Sequence, residues 1–319
     1  MGAMRRLCHL LLVLVATWVV SAARAAPVPA PVTLKARLVS WDVGWKPPTE
    51  AAWIARVVSE VQAAGKDGMD VLVFPELFAW GLAPYAPPGT RPAEFVTQRL
   101  RAALLPAVQA AAPVELLVVL GTYPHQEPGW SYVYNRAAVL LGGGWRFADK
   151  LDPTQSEAGE DPAVRPGAKL PLFAFRGGTA AVLTCFSLEK PEVAVALKKA
   201  GVQLVLGPAA TMDGDGVARI LRSASARAVE LGAAVLVAPL LGEQAGWKNQ
   251  GSAALFLPAQ HGIDARPQVS ALRTFGLHRD DFAIPYRALL ALRQQSEKSP
   301  ETRPFLAPTP EFSVERVVP

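Results

Sequence analysis

Three reactive side chains sit just past strand-like runs: Glu76 after Val71-Leu72-Val73-Phe74, Lys150 after Trp145 to Asp149, and Cys185 after Ala180 to Leu183. Short, continuous apolar runs read as strands covered on both faces. Residues at the carboxyl ends of strands in an α/β sheet gather in one crevice, where such folds bind ligands. A carboxylate there can take a thiol proton. A lysine can hold a developing oxyanion, helped by a backbone N–H at or just after Cys185, while the thiolate attacks a carbonyl or nitrile carbon. The helix opened by Pro191 adds a positive N-terminus that favours the thiolate. Singly, each residue has a plainer reading: a buried inert thiol, a solvated strand end, a surface charge.

The elements that must position them alternate along the chain. Thr33 to Trp41 alternates like a strand, and Thr49 is placed to cap a helix from Glu50 to Ala64 whose Trp53, Val57, Val61 and Ala64 share a face. Gly65 to Asp70 breaks that helix. Pro84 to Pro92 reads as a loop, Glu94 to Ala111 as a helix bent at Pro106, and Leu116 to Tyr123 as a strand. Val133 to Leu141 and Trp145 to Asp149 read as a hairpin through Gly142-Gly143-Gly144. No Lys-Ser/Thr signature or helix follows those glycines, so a phosphate loop is the weaker reading. Leu151 to Leu170 is an irregular loop with Glu157, Glu160 and Asp161. Beyond Cys185 come a helix from Glu192 to Ala200, a strand from Val202 to Leu206, a helix from Gly216 to Leu231 and a strand from Ala233 to Ala238. Ser252 to Leu257 reads as an outer strand, and a short helix lies near Arg287 to Gln294. No linker or repeat divides the chain, so one α/β domain is expected.

Residues 1–25 read as a secretory signal: Arg5 and Arg6, an apolar run from Leu7 to Val20, then Ala23-Arg24-Ala25. Export to the periplasm or beyond is the expectation, with residues 26–319 as the mature domain. Removing the signal takes away Arg5, Arg6 and Arg24, so the formal charge of +5 overstates the mature protein. No cluster of basic residues points to nucleic acid. Cys8 lies in the signal, which leaves Cys185 without an internal disulfide partner. His125, His261 and His278 have no metal-ligand spacing, and no Gly-x-Ser-x-Gly elbow occurs.

Val-Phe-Pro-Glu-Leu at 73–77, Asp-Lys-Leu at 149–151 and Thr-Cys-Phe-Ser-Leu-Glu-Lys-Pro-Glu at 184–192 resemble the nitrilase (carbon–nitrogen hydrolase) superfamily, in its Glu, Lys, Cys order. Ala200-Gly201, Gly207-Pro208-Ala209 and Ala226-Arg227-Ala228-Val229-Glu230 are similar to its flanking segments. The resemblance covers about Thr33 to Leu257, leaving 258–319 as a C-terminal extension. It implies a four-layer α-β-β-α sandwich that pairs into dimers or larger assemblies, and a mechanism without metal or cofactor through an acyl- or thioimidate-enzyme. Carried over by position, Cys185 is the nucleophile, Glu76 the general base and Lys150 the oxyanion cation, with Phe186 beside the nucleophile. A second glutamate is implied in the loop after the lysine; Glu157 fits the spacing better than Glu160. Departures mark a divergent branch. Ser187 and Glu189 stand where amidases often carry an acid and an arginine, Phe186-Ser187 replaces the Trp-Glu of nitrilases proper, and Trp41-Asp42 stands where many members have a glutamine.

The expectation is an exported amidase acting on a small amide or carbamoyl compound. Two alternatives use the same residues: acyl transfer, and a catalytically silent binding protein of the same fold. Rapid alkylation of Cys185 near neutral pH is expected of an enzyme. The loops Phe78 to Pro92, His125 to Tyr134 and Leu241 to Gln250 are expected to shape the pocket. Trp80, Tyr85, Trp130, Tyr132 and Trp247 are candidate linings, although core packing is the readier reading for each.

Overall fold

The computed structural model describes residues 32–244, 246–260 and 262–296. The expected signal and His261 lie outside them, as does the end of the C-terminal extension. In order, the elements are β1 (Leu34–Asp42), α1 (Glu50–Lys66), β2 (Val71–Val73), α2 (Pro92–Arg99), α3 (Leu105–Ala111), β3 (Leu117–His125), β4 (Tyr132–Leu141) and β5 (Gly144–Asp149). Next come α4 (Gln155–Ala158), β6 (Ala163–Val164), β7 (Leu172–Phe175), β8 (Gly178–Val182), α5 (Pro191–Ala200), β9 (Leu204–Ala209) and α6 (Gly214–Leu231). The chain continues through β10 (Ala234–Gln244), β11 (Trp247–Asn249), β12 (Ala254–Phe256), β13 (Gln268–Val269), β14 (His278–Ile284) and α7 (Tyr286–Ser296).

The main strands form one curled sheet whose halves face each other. One half runs β5-β4-β3-β2-β1-β14 and the other β7-β8-β9-β10-β12-β13. They join where Trp41 and Asp42 of β1 pair in parallel with Leu240 and Leu241 of β10. Leu38, Val73 and Val119 from the first half pack against the same core as Val182, Leu206 and Leu236 from the second. On the outer face of the first half, Trp53, Val57 and Val61 of α1 cover Leu72, Val118 and Leu120. On the second, Leu197 of α5 and Ile220 and Ala224 of α6 cover Val205 and Val235. Helix, sheet, sheet, helix is the layering that the resemblance implies.

Local chemistry sets most boundaries. The Thr49 hydroxyl accepts the Ala52 N–H at 3.1 Å, and the expected face of α1 is buried, although the helix continues past Ala64 to Lys66. The stretch read as one helix bent at Pro106 is α2, a π turn over Leu100–Leu104, and α3. Pro106 lacks an N–H and its ring crowds the carbonyl four residues back, so the helix widens in the turn before it. Gly142 and Gly143 both take positive φ, 57° and 73°, in the two-residue turn between β4 and β5. The acid-rich loop holds α4 and β6, which the sequence reading treated as irregular.

The segment read as an extension contributes to the body of the fold. β14 pairs with β1 along seven residues, and Tyr286 and Leu289 of α7 lie in the core between the sheets. Its sequence, His278-Arg279-Asp280-Asp281, hides a strand because its charges find partners in the fold: Arg279 in Glu60 of α1, and Asp281 in Arg37 across the β1 pairing.

Candidate active site

Glu76 is placed by strained backbone on the crevice edge. After β2 the chain turns at Leu77, whose φ is 55° and whose N–H donates to Thr122 Oγ1 at 2.7 Å. The pairing of β3 with β4 slips between Val119 and Thr122, and Gly121 there has φ 53°. A Cβ on Gly121 would come within 2.1 Å of the Pro75 carbonyl oxygen, so the close approach that seats Glu76 requires glycine. Lys150 leaves β5 with its N–H donating to the Asn135 carbonyl oxygen. Glu157 belongs to a capping box: Thr154 Oγ1 accepts the Glu157 N–H, and the Glu157 carboxylate accepts the Thr154 N–H at 2.7 Å.

Cys185 stands at the exit of β8 with φ 43°, opening a 3₁₀ turn over Cys185–Glu189. Helix α5 starts at Pro191, where the sequence places it, one 3₁₀ turn beyond the sulfur. Three contacts tie the turn to the rest of the chain. Ser187 Oγ accepts the Asp152 N–H at 3.2 Å, Arg227 Nε donates to the Leu188 carbonyl oxygen at 3.0 Å, and Glu189 pairs with Arg219.

The side chains meet in one buried cluster. Glu76, Lys150 and Cys185 are 2%, 3% and 7% exposed, which leaves little room for bulk water around the reacting groups. Lys150 Nζ donates to Glu76 Oε1 at 2.9 Å and to both Glu157 oxygens at 2.9 and 2.7 Å. The Ala210 N–H donates to Glu76 Oε2 at 2.9 Å, and the Cys185 thiol lies 3.5 Å from the Ala210 carbonyl oxygen. Ala210, just past β9, thus bridges the carboxylate and the thiol. Glu157, and not the exposed Glu160, is the second glutamate that reaches Lys150.

Charge in this cluster runs against the expectation of a ready thiolate. Burial pushes the Cys185 thiol well above its ordinary value, and the Glu76 charge adds to that, outweighing Lys150. Burial also raises the Glu76 carboxyl, against the pull of Lys150. Burial opposes the Lys150 charge, but Glu76, Cys185 and Glu157 together raise it. Burial likewise opposes charge on Glu157, yet Lys150 and the bonds from Thr154 and Asn135 hold its carboxyl below the usual range. The resting thiol is therefore neutral. It gains nucleophilicity only by giving its proton to a neighbour, and Glu76 is the neighbouring carboxylate.

A sequence profile of the carbon-nitrogen hydrolase family matches residues 35–259. The chain belongs to the carbon-nitrogen hydrolase family. Solved structures of the nitrilase superfamily share its fold. A cysteine-to-alanine variant of the Nesterenkonia AN1 amidase is 19% identical, with a TM-score of 0.62 over 85% of this chain and 98% of that one. Another variant of the Nesterenkonia amidase carries the acetamide moiety of fluoroacetamide covalently on its active-site cysteine; it is 19% identical, with a TM-score of 0.62 over 83% and 96% of the two chains. Nit3 of Saccharomyces cerevisiae is 18% identical, with a TM-score of 0.63 over 86% and 98%. No curated protein matches the sequence.

Within this carbon–nitrogen hydrolase, two site residues escaped the sequence reading. Asn135 is buried and donates to Glu76 Oε1 at 2.8 Å and to Glu157 Oε1 at 3.2 Å. Its signal was an amide on the face of β4 that also carries Val133, Ala137 and Val139, next to the strand that ends just before Lys150. Ala210 acts through its backbone and offers no side-chain signal. Of the candidate linings, Trp130 stacks on Tyr132 at 4.8 Å, and Tyr132 shares the β4 face opposite Asn135 with Tyr134, so both pack away from the cluster. Trp80 packs against Val133, which shares the Asn135 face. Tyr85 donates to the Pro47 carbonyl oxygen, and Trp247 is exposed on β11. Phe186 is half-buried under the Lys190 ammonium at 4.5 Å. Asp42, in place of the usual glutamine, accepts the Gly44 and Gly276 N–H groups and so ties the segment before β14 to β1.

Proposed function

We propose that this chain hydrolyses the C–N bond of a small amide through a thioester on Cys185. The observation that carries the reading is the single buried cluster in which Lys150 bonds Glu76 while Ala210 bridges Glu76 to the thiol. Cys185 attacks the amide carbonyl carbon and its proton passes to Glu76. Neutralising Glu76 loosens its claim on Lys150, which frees an N–H for the oxyanion as that charge appears. The C–N bond then breaks, and the leaving nitrogen takes the proton from Glu76. Water attacks the thioester, Glu76 accepts its proton, and the acid leaves as the thiol is restored. The near-complete burial of the thiol supports a small substrate. So does the Nesterenkonia amidase, a relative in fold, one variant of which is in complex with butyramide.

Incubation with a panel of small aliphatic amides, followed by intact mass, is expected to show an acyl adduct on Cys185. Cys185→Ala is expected to fold normally and lose turnover by at least about 10⁴-fold. Normal turnover by that variant overturns the reading. Competing the trapped acyl-enzyme with amine acceptors against water separates hydrolysis from acyl transfer.

Export and self-association belong to the same proposal. Arg5, Arg6 and the Ala23-Arg24-Ala25 site support export, and mass analysis of the periplasmic protein is expected to start at Ala26. Val195 and Val229, exposed on the neighbouring helices α5 and α6, support pairing through that helix face. A monomeric mass by light scattering would remove that part.

A further inference from the structure

Asn135 is the buried polar residue of the cluster that the proposed reaction leaves without a task. It is 1% exposed, and its Nδ2 reaches Glu76 Oε1 and Glu157 Oε1 together. Its carbonyl oxygen accepts the Lys150 N–H at 2.8 Å, so one residue touches all three charged members. The donor end of the amide is held toward the carboxylates, because an oxygen turned that way would meet like charge. Its own Oδ1 is buried without a hydrogen-bond partner among the described residues.

We propose that Asn135 is a positioning residue that ties Glu76 to Glu157 and holds Glu76 ready to accept the thiol proton. The inference rests on Glu76 being the base. Glu76 is faced by Lys150 after β5, Glu157 of α4, Cys185 after β8, Asn135 of β4 and the Ala210 N–H after β9. Burial and the Glu157 charge favour the protonated carboxyl, which cannot take a proton from the thiol. Three donors oppose them: Lys150 and Asn135 on Oε1, and Ala210 on Oε2. Lys150 is also claimed by Glu157, and in the proposed cycle by the oxyanion. The proposed cycle gives Asn135 no such second duty. By occupying Oε1, it also leaves Oε2 as the oxygen on the Ala210 side, where the thiol lies.

The test is the rate of Cys185 alkylation by iodoacetamide against pH, followed by intact mass, in wild type, Asn135→Leu and Asn135→Ser. Leucine keeps the volume and removes the donor, whereas serine keeps a donor in case leucine does not fold. Losing a hydrogen bond to a charged group raises the carboxyl, so the acid limb is expected to move up by about one to two pH units in Asn135→Leu. The rate recovers above that limb, and Asn135→Ser shifts less. A leucine profile that superimposes on wild type, or falls by the same factor at every pH, overturns the proposal. A wild-type thiol that does not react at any pH overturns the reading of Glu76 and Cys185 as a working pair, and this inference with it.

Discussion

Lys150→Met is expected to unfold at a far lower urea concentration than wild type. Methionine fills much of the space of the lysine stem but leaves Glu76 and Glu157 buried without their shared cation. Removing one partner from a buried ion cluster costs about 3–5 kcal/mol, because the remaining charge stays desolvated. The sign with pH follows from the same charges. Without Lys150 both carboxyls have folded values above their unfolded ones, so the variant's stability is full below the unfolded carboxyl range and is lost as pH rises through the folded values. In wild type Glu157 is held below its ordinary value, so its contribution is present above the unfolded range and lost as pH falls. The first effect narrows the gap between variant and wild type as pH is lowered from about 8 to about 5, and the second adds to it only below the unfolded carboxyl range. Urea titrations across that range measure it. A gap that widens on acidification would mean that Lys150 does not neutralise these carboxylates. Turnover is expected to be lost with the cation at every pH.

Glu76→Gln separates the base from the architecture. The amide oxygen can keep the bonds from Lys150 and Asn135, but the amide nitrogen then faces the Ala210 N–H, donor against donor. That mismatch costs about 1–3 kcal/mol of stability. Turnover falls by about 10²–10⁴-fold, the range for loss of a general base. The thiol remains neutral because burial is the largest influence on it, although losing the Glu76 charge brings it down part of the way. Residual activity in Glu76→Gln therefore climbs with pH over a range where wild type has levelled off. A flat profile with wild-type turnover would assign the proton transfer to another group. Steady-state rates against pH, with a thermal melt of each variant, give both readouts.

Most of the framework was legible in one dimension because local rules write it there. Apolar runs marked the central strands, Thr49 and Pro191 marked helix starts, and paired glycines marked the hairpin turn. The order of Glu76, Lys150 and Cys185, each just past a strand, placed them at one edge. Glu157 was preferred over Glu160 by spacing, and its capping box with Thr154 supplies the physical reason.

Other features depended on partners distant in the chain. β14 carries charges that look solvated until Glu60 and Arg37 meet them, 219 and 244 residues away. Asn135 reads as a stray amide until Glu76 and Glu157 arrive, and Ala210 acts only through backbone atoms. Trp130 and Tyr132 lie in a loop expected to shape the pocket, with packing the readier reading for each, and strand alternation decides for packing by turning Tyr132 and its stacked partner to the opposite face. The state of the nucleophile was decided the same way. By position alone, Cys185 reads first as a buried inert thiol, and second as one activated by a helix end. Burial beside a carboxylate makes it a neutral thiol that depends on that carboxylate for its reactivity. Sequence alone determined which residues reach the crevice edge, since strand ends are local. Tertiary structure alone decided their charge, because desolvation and proximity arise only when the sheet halves close around them.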